Sequence, residues 1–81
     1  MLSDEEVTEN LSANLIRLLQ ERGMSQSELA RRSGENQPLI SSIVLGKHLP
    51  NVARLNRIAD ALSVNIDRLL SAPPKLTSKP A

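Results

Sequence analysis

The sequence predicts a single all-α domain, a compact bundle of five helices. Across the 81 residues, apolar side chains recur at spacings of three and four, which is the period of an amphipathic helix. These segments follow Ser or Asn residues, which favour helix N-termini. The chain has no Phe, Tyr or Trp, so its core must be built from smaller aliphatic side chains. Such a core suits packed helices better than strands.

The first helix is expected to end near Arg22, with a start between residues 4 and 13. Residues 1–10 carry four carboxylates, and Ser3 and Glu6 have the spacing of a capping box. This segment is therefore either an acidic N-terminal arm or the start of the first helix. One apolar face is formed by Val7, Leu11, Leu15 and Leu18.

Residues 25–46 predict two short helices joined by a tight turn. The expected helices cover residues 26–33 and 37–45, and Ser25 with Glu28 has capping-box spacing. The other residues that favour these ends are Asn36 as an N-cap, Pro38 in a first turn and Gly34 at the turn. Two such helices around a short turn containing Gly are typical of the helix-turn-helix of DNA-binding proteins.

The remaining body predicts two more helices and completes a domain over residues 11–70. Asn51 is a plausible N-cap for the fourth helix, and Asn65 for a short fifth helix over 66–70. The fourth helix has an apolar face of Leu55, Ile58, Ala59 and Leu62. Residues 71–81 hold three of the five prolines and predict a tail or linker, either a frayed C-terminus or a hinge toward a further domain.

Several classes of function lack the residues that they need. The chain has no Cys, which excludes disulfides and thiolate metal sites, and its one His has no carboxylate partner at helical spacing. No serine has a sequence-evident base, and no Gly-rich phosphate loop is present. We therefore expect neither catalysis nor a metal or cofactor. No apolar run approaches the ~20 residues of a membrane span, so a cytoplasmic protein is the default expectation.

The third predicted helix is the candidate for reading DNA in the major groove. Its outward residues, and hence the expected base contacts, are Gln37, Pro38, Ser41 and Ser42. Phosphates are expected to meet helix N-termini and the loop after this helix, at Ser25, Gln26, Asn36, Lys47 and His48. Residues 11–70 carry eight Lys and Arg against five Asp and Glu, a modest basic excess. An ordinary solvated surface is the plain alternative for each of these residues.

Residues 15–70 resemble the Cro/C1-type (XRE) helix-turn-helix domain of phage repressors. The resemblance is carried by GMSQSELA at 23–30, Gly34, Asn36-Gln37, Ile40-Ser41, Ile43, Gly46-Lys47, Pro50 and IADALSVNIDRLL at 58–70. It implies a lambda-repressor-like fold of five helices and a homodimer on a palindromic operator. It also implies that Gln26 contacts phosphate and braces Gln37, which reads a base pair.

Three departures from the family pattern are informative. Leu19 and Val44 replace a common Arg–Glu ion pair, and we expect them to touch. Glu35 replaces an apolar turn residue, so we expect part of the turn to be exposed. Ser42 stands where a basic residue is common, which disfavours readout of guanine and favours A·T contacts.

The sequence therefore predicts a DNA-binding transcriptional regulator, in particular a repressor that binds double-stranded DNA as a homodimer. The main alternative is a protein-interaction module, such as an antitoxin-like partner, because the third helix has no charge. A purely structural bundle is a third reading. Self-association is assigned to Val64, Ile66, Leu69 and Leu70, with the alternative that all four belong to the core.

Overall fold

The computed structural model describes residues 3–73, which form five α-helices and no strand within that range. The helices are α1 (Asp4–Arg22), α2 (Gln26–Ser33), α3 (Gln37–Val44), α4 (Val52–Ala61) and α5 (Ile66–Leu70). The predicted all-α fold of five helices is confirmed. Residues 1–2 and the part of the predicted tail at 74–81 lie outside the described residues.

Each helix begins directly after a Ser or Asn whose side-chain oxygen accepts a backbone N–H of the first turn. The five N-caps are Ser3, Ser25, Asn36, Asn51 and Asn65. At α1 the cap is reciprocal, because the Glu6 carboxylate also accepts the N–H of Ser3 at 2.9 Å. From residue 4 onward, the acidic segment therefore belongs to α1, with Asp4, Glu5 and Glu6 in its first turn. Its carboxylates lie at the positive end of the helix dipole.

The second capping box forms only in part. The Ser25 hydroxyl oxygen accepts the N–H of Glu28 at 3.0 Å, as the spacing predicts. The Glu28 carboxylate does not return the bond; it pairs with Arg32 one turn later, at 2.7 Å. Arg32 lies four residues after Glu28 on the same helix face, so its guanidinium group competes with the backbone N–H of Ser25 for this carboxylate.

The core consists of aliphatic side chains gathered around α1. Leu11, Leu15 and Leu18 of that helix have no exposed surface. α1 packs against α3 and α5, while α2 packs against α3 and α4. The other buried apolar residues are Leu19, Leu29, Ala30, Ile40, Ile43, Leu55, Ile58, Ala59, Leu62 and Leu69. Each fully buried Leu or Ile contributes about 1.5–3 kcal/mol, which holds helices too short to be stable alone.

Three polar side chains of α1 bind carbonyl groups at the ends of other helices. Asn14 is only 2% exposed, and its Nδ2 donates to the carbonyl oxygens of Leu69 at 2.8 Å and Ser71 at 2.7 Å. Asn10 binds the end of α5 in the same way, and the Ser12 hydroxyl donates to the carbonyl of the last residue of α3. Carbonyls at helix C-termini have no partner within their own helix, so α1 supplies one.

Leu19 and Val44, which replace the Arg–Glu ion pair that is common in the family, both pack at this core. Leu19 is 8% exposed and belongs to the core. Val44 is half-buried and packs against the same core, and the helices that carry the two residues are in contact. Direct contact between the two side chains stays a prediction.

The residues assigned to self-association are divided between core and surface. Leu69 is fully buried, so its assignment to a dimer surface is wrong: the side chain has no area left to offer a partner. The short α5 turns this residue toward α1, where Asn14 binds its carbonyl. Val64, Ile66 and Leu70 are half-buried and pack against the core from its edge.

Replacement of Asn14 by Ala should destabilise the fold. Two hydrogen bonds are lost, and two carbonyls at the end of α5 lose their donor, so we expect the free energy of unfolding to fall by about 2–3 kcal/mol. Urea denaturation followed by circular dichroism at 222 nm measures this, since the chain has no aromatic fluorophore.

The matched control is Asn56→Ala. Asn56 is exposed on α4 and makes no side-chain hydrogen bond within residues 3–73. Its replacement should change the free energy of unfolding by less than about 0.5 kcal/mol. Equal effects of the two substitutions would contradict the role given to Asn14.

Candidate nucleic-acid interface

A three-residue turn connects α2 to α3. Gly34 adopts φ +76°, a left-handed conformation that costs glycine little, and its N–H donates to the carbonyl of Ala30. The N–H of Glu35 donates to the same carbonyl at 3.0 Å. Asn36 then caps α3, so the turn is closed by backbone bonds on one side and a side-chain bond on the other.

α3 presents one face to the core and another to solvent. Ile40 and Ile43 are fully buried, as the sequence predicts. Gln37 and Pro38 are exposed at the N-terminal end, and Ser41 is half-buried one turn later. These residues form the surface that a helix-turn-helix offers to base edges.

Ser42, the fourth expected base contact, is engaged within its own helix. Its hydroxyl lies 3.3 Å from the carbonyl oxygen of Pro38 and 3.4 Å from that of Leu39. This is the back-bonding that Ser commonly makes in a helix interior. The half-buried Ser42 hydroxyl is therefore bonded within α3 in this structure, and its role as a base contact stays a prediction.

The amide of Gln37 is held by Ser27 and not by Gln26. The Ser27 hydroxyl donates to Gln37 Oε1 at 2.9 Å. Within residues 3–73 no hydrogen bond joins Gln26 to Gln37, so the brace that the family resemblance implies is not formed here and stays a prediction for the DNA-bound state. Ser27 is the second residue of α2, and no helical carbonyl lies four residues before it, so its hydroxyl is free to reach α3.

The N-termini of α2 and α3 retain donors for an anion. The side-chain oxygens of Ser25 and Asn36 are used as caps, at 3.0 Å and 2.9 Å from the amide nitrogens that they bind. The hydroxyl hydrogen of Ser25 and the Nδ2 group of Asn36 remain available as hydrogen-bond donors, and both residues are exposed. Backbone N–H groups are left at Gln26, Ser27 and Gln37. A helix N-terminus with such groups favours a phosphate.

Lys47 and His48 lie in the loop that follows α3, and both are exposed. The backbone N–H of Lys47 donates to the carbonyl of Ser42 at 2.9 Å, which closes the end of the helix. The start of this loop is therefore tied to α3, and within residues 3–73 neither side chain forms a hydrogen bond or an ion pair.

Glu35 forms a buried double ion pair with α4. Its side chain is 4% exposed; Oε1 lies 3.0 Å from Arg54 Nη1, and Oε2 lies 2.8 Å from Arg57 Nη2. Part of the turn is exposed as expected, at Gly34 and Asn36, but the Glu35 side chain itself is enclosed. Arg54 and Arg57 are three residues apart on one face of α4, and their packing over the carboxylate removes it from water.

We call Glu35, Arg54 and Arg57 the turn clamp. Its two arginine side chains remain 42% and 50% exposed, and the clamp carries a net charge of +1. Sequence reasoning missed it because its arginines are 19 and 22 residues from the carboxylate. α3 has no basic residue, so the positive charge around the helix-turn-helix comes from Arg31 and Arg32 at the end of α2, from the clamp and from Lys47.

Features of other functional classes are not found in the described part of the chain. Between residues 3 and 73, no three His, Asp or Glu side chains gather as a metal site would require. No helix in that range combines the length and the hydropathy needed to cross a membrane.

Comparison with known proteins identifies the same region. A family model described as helix-turn-helix matches residues 15–69, about two thirds of the chain. A solved structure, described as a hypothetical transcription factor NHTF from Neisseria, superposes with a TM-score of 0.79 at 28% identity. The match covers 90% of this chain and 85% of that one.

Curated relatives are described as transcriptional regulators. An uncharacterized HTH-type transcriptional regulator, y4dJ of Sinorhizobium fredii, is 38% identical over 68% of this chain and 71% of its own. The HTH-type transcriptional regulator SutR of Escherichia coli is 34% identical over 90% of this chain. The chain spans 41% of SutR and 31% of a similar regulator from Coxiella burnetii, less than half the length of each.

Removal of the clamp carboxylate by Glu35→Ala should destabilise the fold. The charge-assisted hydrogen bonds to Arg54 and Arg57 are lost, but both guanidinium groups can return to water. We therefore expect the free energy of unfolding to fall by about 1–3 kcal/mol. Urea denaturation at low and high salt measures this loss, which should persist at high salt because a buried pair is little screened.

Glu21→Ala is the matched control for the clamp. Glu21 also lies near two arginines, Arg17 at 3.2 Å and Arg22 at 3.7 Å, but its side chain is 46% exposed. An exposed pair contributes only about 0–1 kcal/mol. If Glu35→Ala were no more destabilising than Glu21→Ala, the clamp would have no special role.

Proposed function

The chain belongs to the helix-turn-helix family, and on that premise we propose that it is a sequence-specific regulator of transcription that binds double-stranded DNA. The observation that carries the proposal is the start of α3. Gln37 and Pro38 are exposed there, while Ile40 and Ile43 of the same helix are anchored in the core. An anchored helix with exposed polar residues at its N-terminal end is what major-groove readout requires.

Readout depends on Gln37 first and Ser41 second. A Gln amide can donate to N7 and accept from N6 of adenine, while a Ser hydroxyl can bond several base edges. No Arg or Lys of α3 is available for guanine, which supports A·T contacts at the base pairs that this helix faces. Leu45, which is 63% exposed just after α3, is suited to the methyl group of thymine.

Phosphate binding is assigned to groups around α3. Backbone donors at the N-termini of α2 and α3 bind one stretch of backbone, together with Ser25, Gln26 and Asn36. Lys47 and His48 bind phosphate at the other end of the helix. The exposed N–H groups of the turn clamp add positive charge beside the turn. Because these cations are few, affinity should depend on pairing two such surfaces on one DNA site.

A homodimer that represses from a palindromic operator is the specific form of this proposal. Two-fold related subunits bind half-sites about 34–36 Å apart along one face of the duplex. Val64, Ile66 and Leu70 are half-buried at the edge of the core, which supports the segment around α5 as the contact between subunits. Such a dimer, bound to cytoplasmic DNA at a promoter, excludes polymerase by occupying its site.

A protein-interaction module is the second candidate. Leu45 and Val52 are 63% and 64% exposed on either side of the loop after α3, and α3 itself is uncharged. These features suit a protein partner as well as DNA. A gel-shift titration against salt separates the two candidates. Binding to DNA that weakens steeply with salt supports the regulator, and no binding at low salt supports the module.

Replacement of Gln37 by Ala should weaken binding to the selected operator by about 1–3 kcal/mol. The loss should be confined to one base pair of each half-site, because only the contact to that base edge disappears. Sites selected from random duplexes and measured by fluorescence anisotropy with labelled DNA test this. Unchanged operator binding by Gln37→Ala would refute the readout assignment.

Replacement of Lys47 by Ala should weaken binding to the operator and to a scrambled duplex by a similar factor. A phosphate contact carries no sequence information, and its loss should reduce the slope of log K against log salt by about one for each subunit. Gln37→Ala serves as the contrast, since it should spare the scrambled duplex and leave the slope unchanged. A Lys47→Ala effect limited to the operator would contradict the phosphate role.

A further inference from the structure

We propose that a cavity beside α5 binds a small zwitterion of the α-amino acid type. The cavity has a volume of about 510 Å³ and lies between α1, the turn that joins α4 to α5, and the end of α5. Small-molecule sites commonly have volumes of this size. None of the lining residues belongs to the surface assigned to DNA, so the inference stands independently of the proposed function.

On the α1 side, the cavity is lined by Asn14, a residue that is only 2% exposed. Its Nδ2 group donates to the carbonyl oxygens of Leu69 and Ser71. A carbonyl oxygen has no proton to give, so these two bonds fix which side of the amide is the nitrogen. Oδ1 therefore points away from the two carbonyls, and within residues 3–73 no donor binds it. The cavity thus holds a buried acceptor that lacks a protein partner.

An acceptor in this position favours a ligand that donates hydrogen bonds. A buried polar atom is costly unless water or a ligand supplies the missing bond. The Asp67 carboxylate lines the same cavity and forms no ion pair within residues 3–73. An ammonium group has three N–H donors, so it can bind Oδ1 of Asn14 and the Asp67 carboxylate together.

A charge of the opposite sign also lines the cavity. Arg68 follows Asp67 on α5, and in the described part of the chain its guanidinium group pairs with no carboxylate. A simple cation is repelled by Arg68, and a simple anion is repelled by Asp67. A ligand with both charges suits both side chains, because a guanidinium group binds a carboxylate through paired hydrogen bonds. An α-amino acid carries its ammonium and carboxylate groups on one carbon atom.

The remaining lining residues favour an aliphatic amino acid. Val64 and Ala72 add apolar surface to the cavity. Ser63 adds a hydroxyl group, which can bond to either charged group of the ligand. Its φ of +59° is a conformation that glycine adopts at lower cost. A Ser63→Gly substitution therefore removes the hydroxyl group without straining the backbone, which makes it a clean test of that contact.

The test uses the full chain and L-leucine as the ligand. Two-dimensional amide NMR of the wild type should show saturable shifts for the backbone amides of residues 63–72. The Nδ2 resonances of Asn14 should shift as well, because the ligand binds the other end of the same amide. The side-chain amide of Gln37, which does not line the cavity, should stay in place.

Two derivatives of the ligand test the two charges without any change in the protein. N-acetyl-L-leucine lacks the ammonium group, and L-leucinamide lacks the carboxylate. Each should bind the wild type about three- to ten-fold more weakly than L-leucine, the range expected for one partly solvated charged contact.

Substitutions should match the derivatives pair by pair. Asp67→Asn should weaken L-leucine by the same factor but leave N-acetyl-L-leucine unaffected, since the contact is already absent. Arg68→Gln should do the same for L-leucine and L-leucinamide. Ser63→Gly should weaken L-leucine by about two- to three-fold. Asp60→Asn and Arg31→Gln are the matched controls, because both residues are exposed and neither lines the cavity.

Urea denaturation followed by circular dichroism should show that these variants stay folded. If the wild type shows no saturable shifts with L-leucine at millimolar concentration, or shifts on another surface, the site is refuted. Equal binding of L-leucine and its two derivatives refutes the zwitterion, and this comparison needs only the wild type. Unchanged affinity for L-leucine in both Asp67→Asn and Arg68→Gln also overturns the assignment.

Discussion

The structure depends on the packing of very short helices around one long helix. α2 and α3 have eight residues each and α5 has five, lengths at which an isolated helix is not stable in water. Each of them is held by a side-chain cap at its start and by aliphatic contacts with its neighbours. α1 carries five buried residues, more than any of the other described helices, and also binds the carbonyl ends of α3 and α5 through Ser12 and Asn14. Without α1, the helix α3 would lose a packing surface and a partner for its last carbonyl, whereas α2 is held by α3 and α4.

Much of this arrangement is readable from the sequence because it is local. An N-cap acts on residues two or three positions away, and an apolar face repeats every three or four, so both signals lie within one helix. All five helices therefore match their predicted positions closely, with α3 ending at Val44 and α4 at Ala61. The family resemblance added the expected packing of the five helices into one fold and the expectation that Gln37 reads a base pair.

The features that the sequence did not reveal join residues that are far apart along the chain. A carboxylate in a turn suggests exposure, and only the packing of α4 shows that Glu35 is enclosed by two arginines. The bond from Ser27 to Gln37 spans ten residues and two helices, and Gln26 beside it matched the family pattern better. Leu69 looked available because the short α5 is apolar on several sides. In each case side-chain orientation decided the outcome, and a spacing rule does not give orientation between helices.

The residues that we propose to read DNA and the residues that stabilise the fold are almost separate sets. Within residues 3–73 the side chains of Gln37 and Pro38 are exposed and belong to neither the helix caps, the ion pairs nor the buried core. Evolution can therefore exchange these side chains without approaching the stability limit that constrains most mutations in a small domain. A change of specificity would require few compensating substitutions elsewhere. The same separation makes the domain a suitable scaffold onto which a different set of base-reading residues can be grafted.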